Sequence, residues 1–343
     1  MKNPFLRSAL AAAAAAGLTM GLTACSDDDT NEAAGDSDDV VKIVTSTKVW
    51  ADVADAVVGD ADGVEIQPII ESNDLDPHSY QPTAADMALV EQADVLLAGG
   101  GHYDAWLTDA ASSDSSAIIL TAIEGDGFDG HGHGHGEDGH GEHDDHDHAA
   151  HEDENEAEAD DHAGHNHDHD HDHDHDHAHD HEVNEHIWYN TDAVTSLAST
   201  LADEINAHWD LDASDEDVVK RMEDIEDRKA DLPAAKTAQT HPLADDIISD
   251  TKIEDITPEG YRSATLSESE PAAADVAEML ELIESGDLDF LIDSPQTRNH
   301  VSERLMQAAQ SKGLRIINVY ESPDSNENFF DLYDRILDSL EKK

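Results

Sequence analysis

In two parts of the chain, short apolar runs that are rich in β-branched residues alternate with stretches of helical periodicity, and this alternation limits the possible folds. Successive parallel strands need a long crossover, usually a helix, so the alternation predicts parallel sheets covered by helices. The first series predicts strands over Val41–Ser46, Val64–Ile70, Val95–Ala98 and Ala117–Thr121. The second predicts strands over Lys236–Thr240, Leu288–Ile292 and Leu314–Tyr320. We therefore expect an α/β fold with two (β/α) lobes.

A charged stretch between the two series is expected to join the lobes. Its few apolar residues, among them Val218, Met222 and Ile225, recur at helical spacing. A helix that is polar nearly all round often bridges two domains. We therefore expect an N-terminal lobe over 40–210, a single long rigid helix over 211–232 and a C-terminal lobe over 233–343.

Residues 124–185 interrupt the first lobe with a segment of Gly, His, Asp and Glu that has almost nothing to bury. Such a composition cannot offset the entropy lost on folding, so we expect a disordered insert. Eighteen of the 24 histidines lie between residues 131 and 181.

The histidines of this insert predict an auxiliary metal-binding tract. Imidazole is the commonest metal ligand, and histidines two residues apart can place two or three imidazoles on one Zn²⁺, Ni²⁺ or Cu²⁺ ion. A spacer without a metal role is the alternative. The regularly spaced histidines are His131, His133, His135, His165, His167, His169, His171, His173, His175, His177, His179 and His181.

The N-terminal residues are typical of a lipoprotein signal peptide. Lys2 and Arg7 precede an apolar stretch that is short for a membrane-spanning helix. The stretch ends in Leu-Thr-Ala before Cys25, the sole cysteine, which predicts cleavage after residue 24 and lipidation of Cys25. The alternative is cleavage elsewhere, with Cys25 present by chance. Residues 25–39 then form an acidic tether, and the protein lies outside the cytoplasm, anchored by lipid to the outer face of a bacterial cell membrane.

Charge and cysteine content exclude several classes of protein. A formal net charge of -63 leaves no basic patch, so we expect no nucleic-acid partner. A single cysteine excludes a disulfide framework, a cysteine-based zinc finger and an iron–sulfur cluster.

A few residues outside the tract are candidate metal ligands. His78, His241 and Glu321 each follow a predicted strand, and ligands of open α/β sheets bind beyond the carboxyl ends of strands. His186 lies just past the insert. Asp293, at the end of the predicted strand over residues 288–292, is a rival carboxylate to Glu321.

Two motifs around these histidines resemble those of a known family. The stretch DPHSYQPT around His78 and the stretch EHIWYN around His186 are similar to the first and second histidine motifs of the metal-binding solute receptors of zinc and manganese ABC importers. Zinc-type members also carry a His/Asp-rich loop between these motifs. The resemblance covers nearly all of the chain from Val41 onwards.

The resemblance implies two (β/α) lobes bridged by one long helix, with a metal ion in the cleft between them. By position, His78 and His186 are the implied ligands from the first lobe, and His241 and Glu321 those from the second. The implied partners are an ABC permease and its ATPase, and we expect a monomer.

The ligand types favour zinc over manganese. Three imidazoles and one carboxylate suit tetrahedral Zn²⁺, whereas Mn²⁺ prefers more oxygen ligands. We therefore expect a zinc receptor, with a manganese receptor of the same kind as the alternative. A fourth protein ligand closes the site, which argues against a metal-dependent hydrolase, so no enzyme is expected. An extracellular metal-buffering or adhesion lipoprotein is the remaining possibility.

Overall fold

The computed structural model describes residues 40–111, 116–123 and 184–342, which belong to one compact unit. Cys25 and the histidines of the 131–181 tract lie outside these residues, so the lipid anchor and the auxiliary metal sites stay predictions. Within the described ranges, none of the helices combines the length and apolar content that crossing a bilayer requires.

The first sheet consists of four parallel strands in the order β2-β1-β3-β4. The strands are β1 (Val41–Thr47), β2 (Val64–Ile70), β3 (Val95–Ala98) and β4 (Ile118–Thr121), and the helices among them are α1 (Lys48–Val58), α2 (Ala84–Val90) and α3 (Ala105–Ala110). In the register, Ile43 pairs with both Ile66 and Val95. Both faces of β1 are buried, which explains its nearly continuous apolar sequence.

Two helices, α4 (Thr191–Trp209) and α5 (Glu216–Ala230), lead towards the second sheet. Helix α5 corresponds to the helix expected over 211–232. It buries Val218, Met222, Ile225 and Lys229 along one stripe, and most of its other residues are exposed. The lobe boundaries proposed from the sequence stay predictions.

The second sheet repeats the topology of the first, with four parallel strands in the order β6-β5-β7-β8. The strands are β5 (Ala235–Gln239), β6 (Ile253–Asp255), β7 (Phe290–Asp293) and β8 (Arg315–Asn318), and the helices are α6 (Asp245–Ile248), α7 (Glu259–Leu266), α8 (Ala273–Ser285), α9 (His300–Lys312) and α10 (Phe329–Glu341). The α/β fold with two parallel sheets expected from the sequence is confirmed.

The sequence patterns missed β6 and α7. Strand β6 has only three residues, lies at the edge of its sheet and exposes Glu254, so it has no apolar run to detect. Helix α7 contains Gly260 and β-branched Thr265, which lower helix propensity, and Tyr261 is its buried residue.

One apolar core reaches both sheets. It includes Val95 of the first sheet, Phe290 of the second and Trp50 of α1, and each of these side chains is fully buried. Helix α10 contributes an apolar stripe that contains Ile336 and Leu337. Burial of each such side chain stabilises the fold by roughly 1.5–3 kcal/mol.

We expect Ile336→Ala to lower the free energy of unfolding by about 2–5 kcal/mol, because it opens a cavity in the core that both sheets share. The matched change on the same helix is Asp334→Ala. Asp334 is exposed and pairs with Arg228, so this change should cost no more than about 1 kcal/mol. Urea denaturation of both variants checks this, and equal losses would contradict the position of the core.

Candidate metal centre

Four of the candidate ligands converge on one place. His78, His186, His241 and Glu321 each offer one ligand atom, and these atoms all lie within 4.8 Å of one another. The Nε2 atoms of His186 and His241 are 3.1 Å apart. Two ligand atoms bound to one zinc ion at about 2.0–2.1 Å would have a similar separation. The four side chains can therefore surround a single metal ion.

His78 is positioned by the turn that follows β2. It lies in a short 3-10 turn, Pro77–Ser79, whose N-cap is Asp76. The Asp76 Oδ1 accepts a hydrogen bond from the backbone N–H of His78 at 3.0 Å and lies 3.1 Å from its Nδ1. One carboxylate thus fixes both the backbone and the ring. The His78 Nε2 lies 3.1 Å from the Oε1 of Glu268, and its Nδ1 lies 3.5 Å from the Oε2 of Glu321.

Asn184 likewise fixes both the backbone and the ring of His186. Its Oδ1 accepts from the backbone N–H of His186 at 3.1 Å and lies 2.7 Å from the His186 Nδ1. Its amide nitrogen donates to the Pro242 carbonyl and to Asp245, at 2.6 and 2.7 Å, which fixes the orientation of the amide. The His186 Nδ1 must therefore carry the proton, and its Nε2 is left unprotonated as a potential ligand.

His241 follows β5 and begins the 3-10 turn Pro242–Ala244. Below this turn, Asp245 accepts hydrogen bonds from Gln239 and Arg262 as well as from Asn184. The Tyr261 hydroxyl donates to the carbonyl of Thr240, the residue before His241, at 3.1 Å. The loop that carries His241 is thus held from several sides.

Glu321 follows β8 and is fully buried. Its backbone N–H donates to Gln296 at 2.6 Å, and its Oε2 accepts from the Tyr103 hydroxyl at 3.3 Å. Among the residues that the structure describes, none donates to the other oxygen, Oε1. A buried carboxylate oxygen without a donor is costly, and a metal cation would satisfy it.

Asp293 is not part of this cluster. It is fully buried at the end of β7, where Arg298 donates to its Oδ2 at 2.5 and 2.8 Å and Thr240 donates to its Oδ1 at 3.1 Å. Its charge is neutralised by the guanidinium, so Glu321 is the better candidate ligand.

The two innermost imidazoles stay neutral. Burial lowers the pKa of His186 well below its usual value, and the charges of His241 and His78 lower it further. Burial, followed by the charge of His78, lowers the pKa of His241 to about 3. Both rings therefore have an unprotonated nitrogen at neutral pH, as metal binding requires.

His78 and Glu321 form the charged side of the cluster. Burial lowers the pKa of His78, but the hydrogen bond that its ring donates to Asp76 and the charges of Glu321 and Glu268 outweigh this effect and raise the pKa to about 9. Burial raises the pKa of Glu321 to about 7, although the charge of His78 lowers it. A metal ion would replace the proton on His78.

The sequence motifs did not indicate which residues hold the candidate ligands in place. Asp76 and Asn184 each stand two residues before a candidate histidine, and this repeated spacing was the available signal. Tyr103 packs edge-on against His78 at 4.8 Å between ring centroids, and nothing in the sequence near residue 103 indicates this contact.

Known proteins share both sequence and fold with this chain. The manganese ABC transporter substrate-binding lipoprotein PsaA of Streptococcus pneumoniae is 32% identical over 95 residues, which cover 26% of this chain and 29% of PsaA. The matched part is therefore less than a third of that relative's length.

Solved structures extend the likeness of fold over most of the chain. The periplasmic zinc-binding protein TroA from Treponema pallidum superposes with a TM-score of 0.58 at 13% identity, over 88% of this chain and 97% of TroA. FpvC from Pseudomonas aeruginosa, solved in complex with Mn²⁺, superposes with a TM-score of 0.54 at 14% identity, over 88% of this chain and 98% of FpvC.

Residues 43–343 match the sequence profile of the family described as zinc-uptake complex component A, periplasmic (ZnuA). The match confirms the resemblance seen in the two histidine motifs. The members of this family are receptors in metal transport, so the expectation that the protein is not an enzyme is confirmed. The chain belongs to the ZnuA family of periplasmic zinc-uptake components.

Proposed function

We propose that this protein is the extracytoplasmic receptor of a metal ABC importer, which captures Zn²⁺ and delivers it to a membrane permease driven by an ATPase. The observation that carries the proposal is the convergence of three imidazoles and one buried carboxylate on a single point. Four protein ligands close a metal site, which suits capture and delivery better than hydrolysis by a metal-bound water.

Zinc is the proposed ion because nitrogen ligands dominate the cluster. Imidazole suits Zn²⁺, whereas Mn²⁺ prefers carboxylate, carbonyl and water oxygens. The neutral states of His186 and His241 support this assignment, since both rings are ready to bind at neutral pH. Manganese is the second candidate, because PsaA is named as a manganese receptor and FpvC was solved with Mn²⁺.

The proposed function also includes roles for the lipid anchor and for the histidine tract. Cys25 carries the lipid that holds a monomer at the outer face of the cell membrane. The histidines of residues 131–181 collect zinc and keep it at high local concentration near the cleft, because the tract ends just before Asn184 and His186. An ion released from the tract is then close to the cleft.

We expect alanine in place of His78, His186 or His241 to weaken the tightest zinc site at least about tenfold, on the order of 1.4 kcal/mol each. Each change opens the ion to water. Glu321→Gln should cost less, since water can replace one oxygen. Asp293→Asn is the matched control and should leave the affinity nearly unchanged. Competition titration with a zinc chelator measures all five variants, and a larger loss for Asp293→Asn than for Glu321→Gln would refute the choice of carboxylate.

The apparent zinc affinity of the tightest site should rise with pH up to about pH 9. Protons compete with the metal, and the pKa of His78, raised to about 9, means that one proton leaves His78 for each ion bound between about pH 7 and pH 9. Below about pH 7 the loss steepens, because Glu321, with its pKa raised to about 7, is protonated as well. Calorimetry in buffers of different ionisation enthalpy counts the protons released. A flat profile over this range would contradict the assignment of His78.

Deletion of residues 131–181 should lower the zinc stoichiometry by several ions and leave one tight site of unchanged affinity. Imidazoles on an unstructured chain must be ordered at each binding event, at a cost of roughly 1–2 kcal/mol per residue fixed, so the tract sites are weak. Elemental analysis measures the zinc stoichiometry, and competition titration measures the affinity of the tight site. If the tight site disappears while circular dichroism shows an intact fold, tract histidines complete the cleft.

A further inference from the structure

The side chain of Gln296, in the loop between β7 and α9, bridges two loops of the candidate metal centre. Its Oε1 accepts hydrogen bonds from the backbone N–H groups of Glu321 and Ser322, at 2.6 and 3.3 Å. Its Nε2 donates to the backbone carbonyl of Leu75 at 3.2 Å. Leu75 belongs to the loop over residues 71–83, the His78 loop. One side-chain amide therefore joins the loop that carries Glu321 to the loop that carries His78.

The partners of this amide are backbone groups, and they fix its orientation. Two N–H donors face Oε1 and one carbonyl acceptor faces Nε2. The reverse orientation would place donor against donor at one end and acceptor against acceptor at the other. A carboxylate could accept at one end but could not donate at the other, and a thioether could do neither well. The bridge therefore requires a long amide side chain at residue 296.

The loop that carries Gln296 is itself held on both sides of the glutamine. Arg298 donates from its Nε to the Oδ2 of Asp293 at 2.8 Å, and Asp293 is fully buried at the end of β7. The backbone N–H of Ser294 donates to the hydroxyl of Thr240 at 3.3 Å. Gln296 is therefore fixed to the second sheet, and its amide transmits that position to a loop of the first.

Little else holds the His78 loop to the second sheet and its connections. In the part of the chain that the structure describes, the remaining hydrogen bonds and ion pairs between residues 71–83 and residues 235–342 are those of the His78 ring. The ring lies 3.1 Å from Glu268 and 3.5 Å from Glu321. An ion bound to His78 would alter both contacts, whereas the bond from Gln296 to the backbone of Leu75 would persist.

Asn184 makes a comparable bridge for the other ligand of the first lobe. It holds His186, and its amide nitrogen donates to the carbonyl of Pro242 at 2.6 Å. The bond from Gln296 to Leu75 is longer, at 3.2 Å, and Leu75 is 49% exposed. Each of these two histidines is thus tied to the second sheet through one side-chain amide, and the bridge at the His78 loop is the more accessible to solvent.

We propose that Gln296 is a positioning residue of the metal centre, which holds the His78 loop at the distance from Glu321 that one ion requires. The inference rests on the proposed function and deepens it. With the bridge intact, His78 and Glu321 are close together before an ion arrives, so little ordering is left to occur on binding. The His78 loop moves away from a bound ion only after the bond to Leu75 breaks. Loss of the bridge therefore weakens the tightest zinc site and speeds release of the ion.

The test uses two measurements on the full-length protein. Hydrogen exchange of residues 71–80, followed by mass spectrometry on metal-free protein, reports how firmly the His78 loop is held. Stopped-flow release of Zn²⁺ to excess chelator reports the tightest site in its slowest phase, since ions on the tract leave early. Gln296→Met removes both ends of the bridge. Gln296→Glu removes only the bond to Leu75, and it is compared in the metal-free protein because its charge would attract an ion.

The matched controls are the same two changes at Gln92. This glutamine is exposed, and it also donates from its side chain to a backbone carbonyl, that of Ala88, at 2.7 Å. It lies outside the metal cluster.

We expect both Gln296 variants to speed exchange over residues 71–80 by about twofold to tenfold, the range that the loss of one neutral hydrogen bond gives. Gln296→Met should speed the slowest phase of zinc release by a similar factor and weaken the tightest site. Far-ultraviolet circular dichroism should match that of the wild type in every variant. The Gln92 variants should change neither the exchange of residues 71–80 nor the release rate.

Unchanged exchange in either Gln296 variant would overturn the proposal, because the His78 loop would then be held without the bridge. Faster exchange with unchanged zinc release would also overturn it, since the bridge would then not position a ligand. A wild-type protein without any slow phase of zinc release would overturn the proposed function. The exchange in metal-free protein separates the two failures, because it measures the bridge without any ion.

Discussion

The carboxyl ends of two parallel sheets must face the same space for the metal centre to exist. His78 follows β2, His241 follows β5 and Glu321 follows β8, and one apolar core fixes the two sheets relative to each other. In open α/β sheets the carboxyl ends of strands present loops rather than packed helices, which leaves room for ligands. The repeated strand order makes two such edges available, and the cluster lies where their loops meet.

Hydrogen bonds prepare the cluster before any ion arrives. Asp76 and Asn184 fix two imidazole rings through the Nδ1 atoms, one with a carboxylate and the other with an amide. The carboxylate helps to keep His78 protonated, whereas burial keeps His186 neutral. In the proposed receptor, metal capture would therefore be largely the exchange of a proton for an ion, and the preorganised side chains would favour tight binding.

The sequence predicted most of the candidate ligands. It could not predict features that depend on residues brought together only in the folded protein. Strand periodicity and the rule for strand ends identified His78, His241 and Glu321, because each follows an apolar run. The family resemblance implied Glu321, but strand periodicity alone could not choose between Glu321 and Asp293, since both follow predicted strands. The choice depends on Arg298, which neutralises Asp293 in space.

In the proposed site, one ion binds to His78, His186, His241 and Glu321. Diffraction from crystals of the zinc-loaded protein, measured on both sides of the zinc absorption edge, would locate this ion. We expect one strong anomalous peak within about 2.0–2.2 Å of a nitrogen of each histidine and of a Glu321 oxygen. A strong peak at Asp293, or no peak among these four side chains, would refute this assignment of the ligands.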